Sequence, residues 1–235
     1  MKYKRVLLKL SGEQFAGGQN FGINSDFINE LARDIKAIAD LRTQVAVVVG
    51  GGNFMRGADI AKKGVERATG DYMGMLATIL NGMALVDTLE ANNQPARLQT
   101  RLRVDSVAEP YIRRRAIRHM EKGRVVIIAG GTGNPYVTTD TAAVTAALEL
   151  DCQVVLKATK VDGVYDKDPI THKDAKKYSS LSHAEALQNP QIGVMDNAAI
   201  SLAMDNKLPI IIFGLSKENL KKVIQGKAVG SKVSS

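Results

Sequence analysis

The chain has 235 residues, 45% of them hydrophobic, and a formal net charge of +8. That composition excludes a disordered chain and suits one large α/β domain, or two small ones sharing a core. The positive balance fits anionic partners: nucleic acid, a membrane surface or phosphorylated small molecules.

The N-terminus begins Met1-Lys2-Tyr3-Lys4-Arg5 and enters an apolar run over residues 5–10. Lys9 interrupts that run, which is too short for a secretory signal, so a cytoplasmic protein is expected. Further short apolar runs fall at 44–49, 124–129, 153–158 and 210–213. They are nearly continuous rather than alternating, which predicts strands covered on both faces, as in a parallel sheet. Helical patterns lie between them. Phe27, Leu31, Ile35 and Ile38 recur at helical spacing behind a candidate cap at Ser25, and Met75, Ile79, Met83 and Val86 recur after Asp71, which is expected to precede its helix. A third helix should run from Asp140 through Ala143 and Ala147 to Leu150, with others near 182–188, 196–204 and 218–224. No segment approaches the roughly 18 apolar residues of a membrane span. Without a linker or repeat, residues 1–235 read as a single domain. The alternation predicts an α/β fold, a three-layer αβα sandwich with a mainly parallel central sheet.

Two features lie apart from that pattern. Cys152, the one cysteine, sits beside the apolar run 154–156 and reads as a small core residue in a protein of a reducing compartment. Arg113-Arg114-Arg115, with Arg118 one helical turn on, reads as a solvated helix face or a nucleic-acid contact, without the interleaved aromatics of a single-strand platform.

Ligands of such sheets bind beyond the carboxyl ends of the strands. The first run ends in Lys9-Leu10-Ser11-Gly12. A buried unpaired lysine is costly, so Lys9 is either an edge residue reaching solvent or a cation aimed at a phosphate, with the Ser11 and Gly12 N–H groups beside it. After the second run, Gly50-Gly51-Gly52-Asn53 and Arg56 offer bare N–H groups and close approach. The spacing is not a dinucleotide-binding fingerprint, and no P-loop occurs. After the third, Gly130-Gly131-Thr132-Gly133-Asn134-Pro135 leads to Thr138-Thr139-Asp140 at a helix start, a second anion cradle, although Asp140 also reads as an ordinary N-cap. After the fourth, Lys157 repeats the Lys9 anomaly. The loop to Tyr165, with Asp168-Pro169 beyond, suits an adenine and ribose, although Tyr165 alone also reads as a packing residue.

Together these segments resemble the amino acid kinase family and, within it, the uridylate kinase branch. The resemblance is carried by Lys9-Leu10-Ser11-Gly12, by Gly50-Gly51-Gly52-Asn53 with Arg56-Gly57, and by Gly70-Asp71 with Met73-Gly74-Met75-Leu76-Ala77-Thr78. It continues through Gly131-Thr132-Gly133-Asn134-Pro135 with Thr138-Thr139-Asp140, the run from Leu156 to Tyr165 with Asp168-Pro169, and Val194-Met195-Asp196 before Lys207-Leu208-Pro209-Ile210. It spans nearly the whole chain in order. The Gly-Asp-x-Met-Gly-Met-Leu-Ala-Thr and Thr-Gly-Asn-Pro segments separate this branch from relatives acting on acetylglutamate, aspartate, glutamate or carbamate.

The resemblance implies an ATP site at Lys9, Leu10, Ser11, Gly12, Gly52, Arg56, Thr159, Tyr165 and Asp168. It implies a UMP site at Gly51, Asp71, Thr132, Gly133, Asn134, Pro135, Tyr136, Val137, Thr138 and Thr139, and a transfer centre at Lys9, Arg56, Asp140 and Lys157. The N-terminal part would bind mainly UMP and the C-terminal part mainly ATP. The nucleophile would be a UMP phosphate oxygen. A phosphate monoester has a second pKa near ~6, so no general base is needed, and His119, His172 and His183 lie outside every motif. Lys9, Lys157, Arg56 and a Mg²⁺ ion brought with ATP, without direct protein ligands, would offset the repulsion between two anions, with Asp140 orienting the lysines.

The loop Gly17-Gly18-Gln19-Asn20-Phe21-Gly22 resembles the family's effector loop, and Arg97 and Arg124 match positions near a second nucleotide site between subunits. The resemblance implies a homohexamer of dimers, activated by GTP and inhibited by UTP, needing neither nucleic acid nor membrane. Read alone, the arginines are also solvated cations and the loop a plain turn. The segment 96–103 begins as in the family and then adds Arg101 and Arg103. The residues also admit a kinase for an amino acid or carbamate, or a nucleotide-sensing regulator that binds nucleic acid.

Overall fold

The apolar runs become the centre of one sheet. The computed structural model describes residues 1–62, 64–189, 192–193 and 195–235. Its strands are β1 (Arg5–Leu10), β2 (Gln44–Val49), β3 (Ala96–Thr100), β4 (Glu109–Pro110), β5 (Val125–Ala129), β6 (Val155–Thr159), β7 (Val164–Tyr165), β8 (Lys177–Tyr178), β9 (Ser180–Ser182), β10 (Ile210–Gly214) and β11 (Ser231–Ser234). Its helices are α1 (Gly12–Phe15), α2 (Ser25–Ala39), α3 (Gly57–Ala61), α4 (Arg67–Ala91), α5 (Arg113–Glu121), α6 (Thr139–Glu149), α7 (His183–Gln188), α8 (Asn197–Asp205) and α9 (Lys217–Gln225). Nine strands form one sheet in the order β4-β3-β5-β2-β1-β6-β10-β11-β9, and β7 pairs with β8 in a separate ribbon. Within the large sheet, the β10–β11 pair is antiparallel and the other described pairs are parallel.

Period-two alternation assigns each strand residue to a face. Val6, Leu8 and Leu10 of β1 pack with α2, α4 and α9 through Leu31, Ile35, Leu85, Leu89, Leu220 and Ile224. Leu7 faces the opposite layer, with Ala116 of α5, Ala143 of α6 and Ala199 of α8. The result is the expected three-layer sandwich. It also fixes where the two lysines go: Lys9 follows Leu7, and Lys157 follows Val155, onto the α6 side.

Several expectations change. β3 has the sequence Ala-Arg-Leu-Gln-Thr, in which polar residues interrupt any apolar run, yet Leu98, Gln99 and Thr100 are buried between neighbours. The cap of α2 is Asn24, whose Oδ1 accepts from Phe27 N at 2.9 Å, rather than Ser25. α4 begins at Arg67, so Asp71 lies within its helix and does not precede it. That helix also corrects the membrane expectation: an 18-residue window within its 25 residues reaches a mean hydropathy of 1.3, long and apolar enough by composition to cross a membrane. Here Ile79, Leu85 and Leu89 bury one face against the sheet. Val194 of the Val-Met-Asp segment lies outside the described residues.

Candidate active site

β1 and β6 are adjacent, and their parallel register places Lys9 opposite Lys157. Lys9 is therefore a residue of a central strand, 6% exposed, and not an edge lysine. Both ammonium groups turn to one carboxylate: Lys9 Nζ lies 2.6 Å from Asp140 Oδ1 and Lys157 Nζ 2.8 Å from Oδ2. Asp140 is not the cap of α6. Thr138 is, accepting the Asp140 N–H at 3.0 Å, which leaves the carboxylate free for the lysines.

Burial alone would raise the Asp140 carboxyl, but Lys9 and Lys157 outweigh it and hold it below the ordinary carboxylate value. Burial and the neighbouring Lys9 lower Lys157, against the pull of Asp140. The group is a carboxylate clamped between cations, poorly suited to accept a proton at neutral pH.

Lys9 and Asp140 open into a cleft of about 440 Å³. Its walls come from the Gly50-Gly51-Gly52 turn, Arg56, the first part of α4 with Asp71 and Met75, and the residues Gly131 and Val137 to Thr139 before α6. Arg56 is ion-paired with Glu13. The glycines serve packing as well as access. A Cβ on Gly12 would fall 2.2 Å from Gly52 N, and one on Gly51 would fall 2.6 Å from the Gly74 carbonyl oxygen, whereas Gly52 has ordinary room towards Arg56 and Glu13. The Leu10 side chain is buried on the α2–α4 side, so only its backbone can reach a ligand. The Ser11 N–H, expected beside a phosphate with Lys9, donates to Gln14 Oε1 at 2.9 Å.

Asp71 ties α4 to the turn before α6. Its Oδ2 accepts the Tyr136 N–H at 2.8 Å and pairs with Arg67 Nε at 2.9 Å. Tyr136 has φ +65°, a conformation that non-glycine residues rarely adopt, and Arg67 lies over its ring at 5.7 Å. Thr132, Gly133, Asn134 and Pro135 belong to the same turn but lie outside the cleft wall.

Other candidates gather elsewhere. Thr159, Tyr165 and Asp168 line a second cavity of about 240 Å³ with Val161, Gly163 and Lys167, beyond the carboxyl end of β6. Arg97 and Arg124 share a third, of about 540 Å³, with Glu90 and Lys122, and none of its lining residues lines the cleft. Arg124 reaches His119 Nδ1 at 3.0 Å, and His119 Nε2 reaches Glu109 Oε2 at 3.1 Å, so this histidine bridges two charged groups. The 17–22 loop rests on the turn after β2, with Gly22 N donating to Asn53 O at 3.1 Å and Phe21 edge-on to Phe54 at 5.4 Å.

Four side chains had no role in the sequence reading. Asp196, which lines the cleft, caps α8 through Ala199 N at 2.9 Å and accepts the hydroxyls of Thr138 and Thr141. Thr78 and Asn81 are buried polar breaks in an apolar helix, three residues apart, and that pattern was a readable signal. Thr78 Oγ1 accepts the Gly130 N–H at 2.7 Å, and Asn81 Nδ2 donates to Gly50 O at 2.7 Å. Asn53 is the fourth, quoted for its motif alone.

The family model for the amino acid kinase family matches residues 4–214. A UMP kinase structure from Bacillus anthracis superposes with a TM-score of 0.93 at 38% identity, covering 100% of this chain and 97% of that one. A UMP kinase from Ureaplasma parvum gives 0.91 at 31%, covering 100% of both chains. A uridylate kinase from Archaeoglobus fulgidus gives 0.77 at 29%, covering 97% of this chain and 99% of that one.

Proposed function

The chain belongs to the amino acid kinase family, and we propose that it transfers the γ-phosphoryl group of ATP to UMP, giving UDP for pyrimidine nucleotide biosynthesis in the cytoplasm. The observation that carries phosphoryl transfer is the Lys9–Asp140–Lys157 cluster, in which Lys9 and Asp140 line the cleft where two anions must meet and Lys157, outside the cleft wall, backs the same carboxylate. UMP as acceptor is supported by 38% identity to a UMP kinase along the full chain.

In this reading the UMP phosphate, mostly dianionic above ~pH 6, attacks without a general base. Asp140 keeps both lysines at a fixed separation, and Lys9, Lys157 and Arg56 offset the charge on the moving phosphoryl group. ATP takes Lys9, Leu10, Ser11, Gly12, Gly52 and Arg56 for its phosphates and the Thr159–Tyr165–Asp168 cavity for its nucleoside. UMP takes Gly51, Asp71 and the turn from Thr132 to Thr139, so that the N-terminal part serves mainly UMP and the C-terminal part mainly ATP. The cleft carboxylates Glu13, Asp71, Asp140 and Asp196 are each engaged by protein groups, a donor set that suits Mg²⁺ held through phosphate oxygens and water. When bound, that ion supplies further positive charge to the transferring group.

Regulation belongs to the same proposal: a homohexamer of dimers, activated by GTP and inhibited by UTP. Arg97 and Arg124 facing one cavity support an effector site. Tyr72, Leu76, Leu80 and Met83, an exposed apolar stripe on α4, support a subunit contact. Sedimentation should give one species near six subunits, and GTP should raise wild-type rates but not those of Arg124→Ala. Incubation with ATP, Mg²⁺ and UMP, followed by ³¹P spectroscopy, should show UDP; its absence would reject the function.

A further inference from the structure

Beneath the glycine turn after β2 lies a reciprocal amide pair. Asn53 is 3% exposed and Asn81 is fully buried. Asn53 Nδ2 donates to Asn81 Oδ1 at 2.9 Å, and Asn81 Nδ2 donates to Asn53 Oδ1 at 2.7 Å. Each amide has one N–H left, and each uses it on a backbone carbonyl: Asn53 on Gly22 O at 2.8 Å, Asn81 on Gly50 O at 2.7 Å. Flipping either amide would set oxygen against oxygen at two contacts, so the network fixes both orientations.

The two carbonyls belong to different functional segments. Gly22 closes the 17–22 loop, and Gly50 opens the turn that lines the cleft. We propose that the Asn53–Asn81 pair is a latch that couples the position of the 17–22 loop to that of the Gly50–Gly52 turn, with Asn81 as a positioning residue for the ATP phosphates; this rests on the kinase reading above. The coupling is direct in geometry. If the loop leaves, Asn53 loses Gly22 O and Phe54 loses Phe21. A buried amide N–H left unpaired is costly, so Asn53 turns to satisfy it at the expense of its bonds to Asn81, and Asn81 can then no longer hold Gly50 O in the same place. Asn53 Oδ1 is also where a Cβ on Gly12 would press, at 2.9 Å, so rotation of that amide is felt at the end of β1 as well. Phe21 is 65% exposed, a large aromatic held only at the loop surface, and is the natural handle on the latch.

The test is a double-mutant cycle on binding of AMP-PNP with Mg²⁺, measured by calorimetry on the full chain. Phe21→Ala should weaken binding about two- to tenfold, the range of an aromatic pair, with the melting temperature nearly unchanged. Asn81→Asp should weaken it at least as much, and the double variant should be no weaker than Asn81→Asp alone, because both changes open one link. Should Asn81→Asp fail to fold, Asn81→Ser gives the same cycle, since it also loses the contact to Asn53. Multiplicative losses, or no effect of Phe21→Ala, would overturn the latch while leaving the kinase reading in place. No binding of AMP-PNP by the wild type would overturn both.

Discussion

Lys9 and Lys157 are register partners on adjacent parallel strands and share the two oxygens of Asp140. Burying an ammonium group so deep in the sheet is costly, and that carboxylate offsets the cost for both lysines. Their common direction follows from the side-chain period of two on strands paired in register.

Lys9→Ala should lower kcat at least ~100-fold, because it removes charge stabilisation of the transferring group. The Lys157–Asp140 contact survives the change, so circular dichroism should report a folded protein. Steady-state rates near wild type would contradict the assignment.

Asp140 gives a prediction for acid stability. Its folded carboxyl titrates below the ordinary 3.8, so the folded state binds that proton more weakly than the unfolded chain. The stabilisation is complete above about pH 4 and is lost as pH falls through the folded value. Asp140→Asn leaves two buried ammonium groups without their carboxylate, at a cost of about 3–5 kcal/mol at neutral pH. Denaturation midpoints measured from pH 6 to pH 2 should fall more steeply for the wild type than for the variant; parallel curves would contradict this.

The sequence made the sheet and the lysine pair legible for a physical reason. Continuous aliphatic runs mark strands buried on both faces, and a lysine inside one demands a partner. It did not reveal β3, whose Arg97 and Gln99 break the run, because burial there comes from neighbours in space. It left Asp140 between two roles, and the contacts of Thr138 decided for the lysines. Hydroxyl and amide links such as Thr138 to Asp196, or Asn53 to Asn81, join residues 58 and 28 positions apart and leave no local pattern.

Asp71→Asn should raise the KM for UMP about tenfold or more, the scale of a lost charge-assisted hydrogen bond, and leave the KM for ATP nearly unchanged. The change also weakens the hold on Arg67, and so on the turn at Tyr136. Initial-rate measurements in both substrates decide it; a larger effect on ATP would move Asp71 to the other site.

Asp196→Ala removes the cap of α8, at about 1 kcal/mol, and releases the Thr138 hydroxyl. Both kcat and the melting temperature should fall. Thr141→Val, which loses only the second hydroxyl contact to Asp196, should keep kcat close to wild type. Equal loss in the two variants would show that Asp196 acts through its Thr141 contact alone, and not through Thr138 or the cap of α8.

Burial pushes the Cys152 thiol up to about 12. It should resist a thiol-reactive disulfide reagent at pH 8 in the native protein and react fully in denaturant. Rapid native labelling would place the thiol in an exposed setting.

The central claim is the acceptor. A coupled assay that follows ADP, run with saturating ATP and Mg²⁺ and with UMP, CMP, dCMP or acetylglutamate in turn, tests it most directly. The kcat/KM for UMP should lie far above that for the other three. A higher value for any of them, or ADP formation that does not depend on UMP, would contradict it.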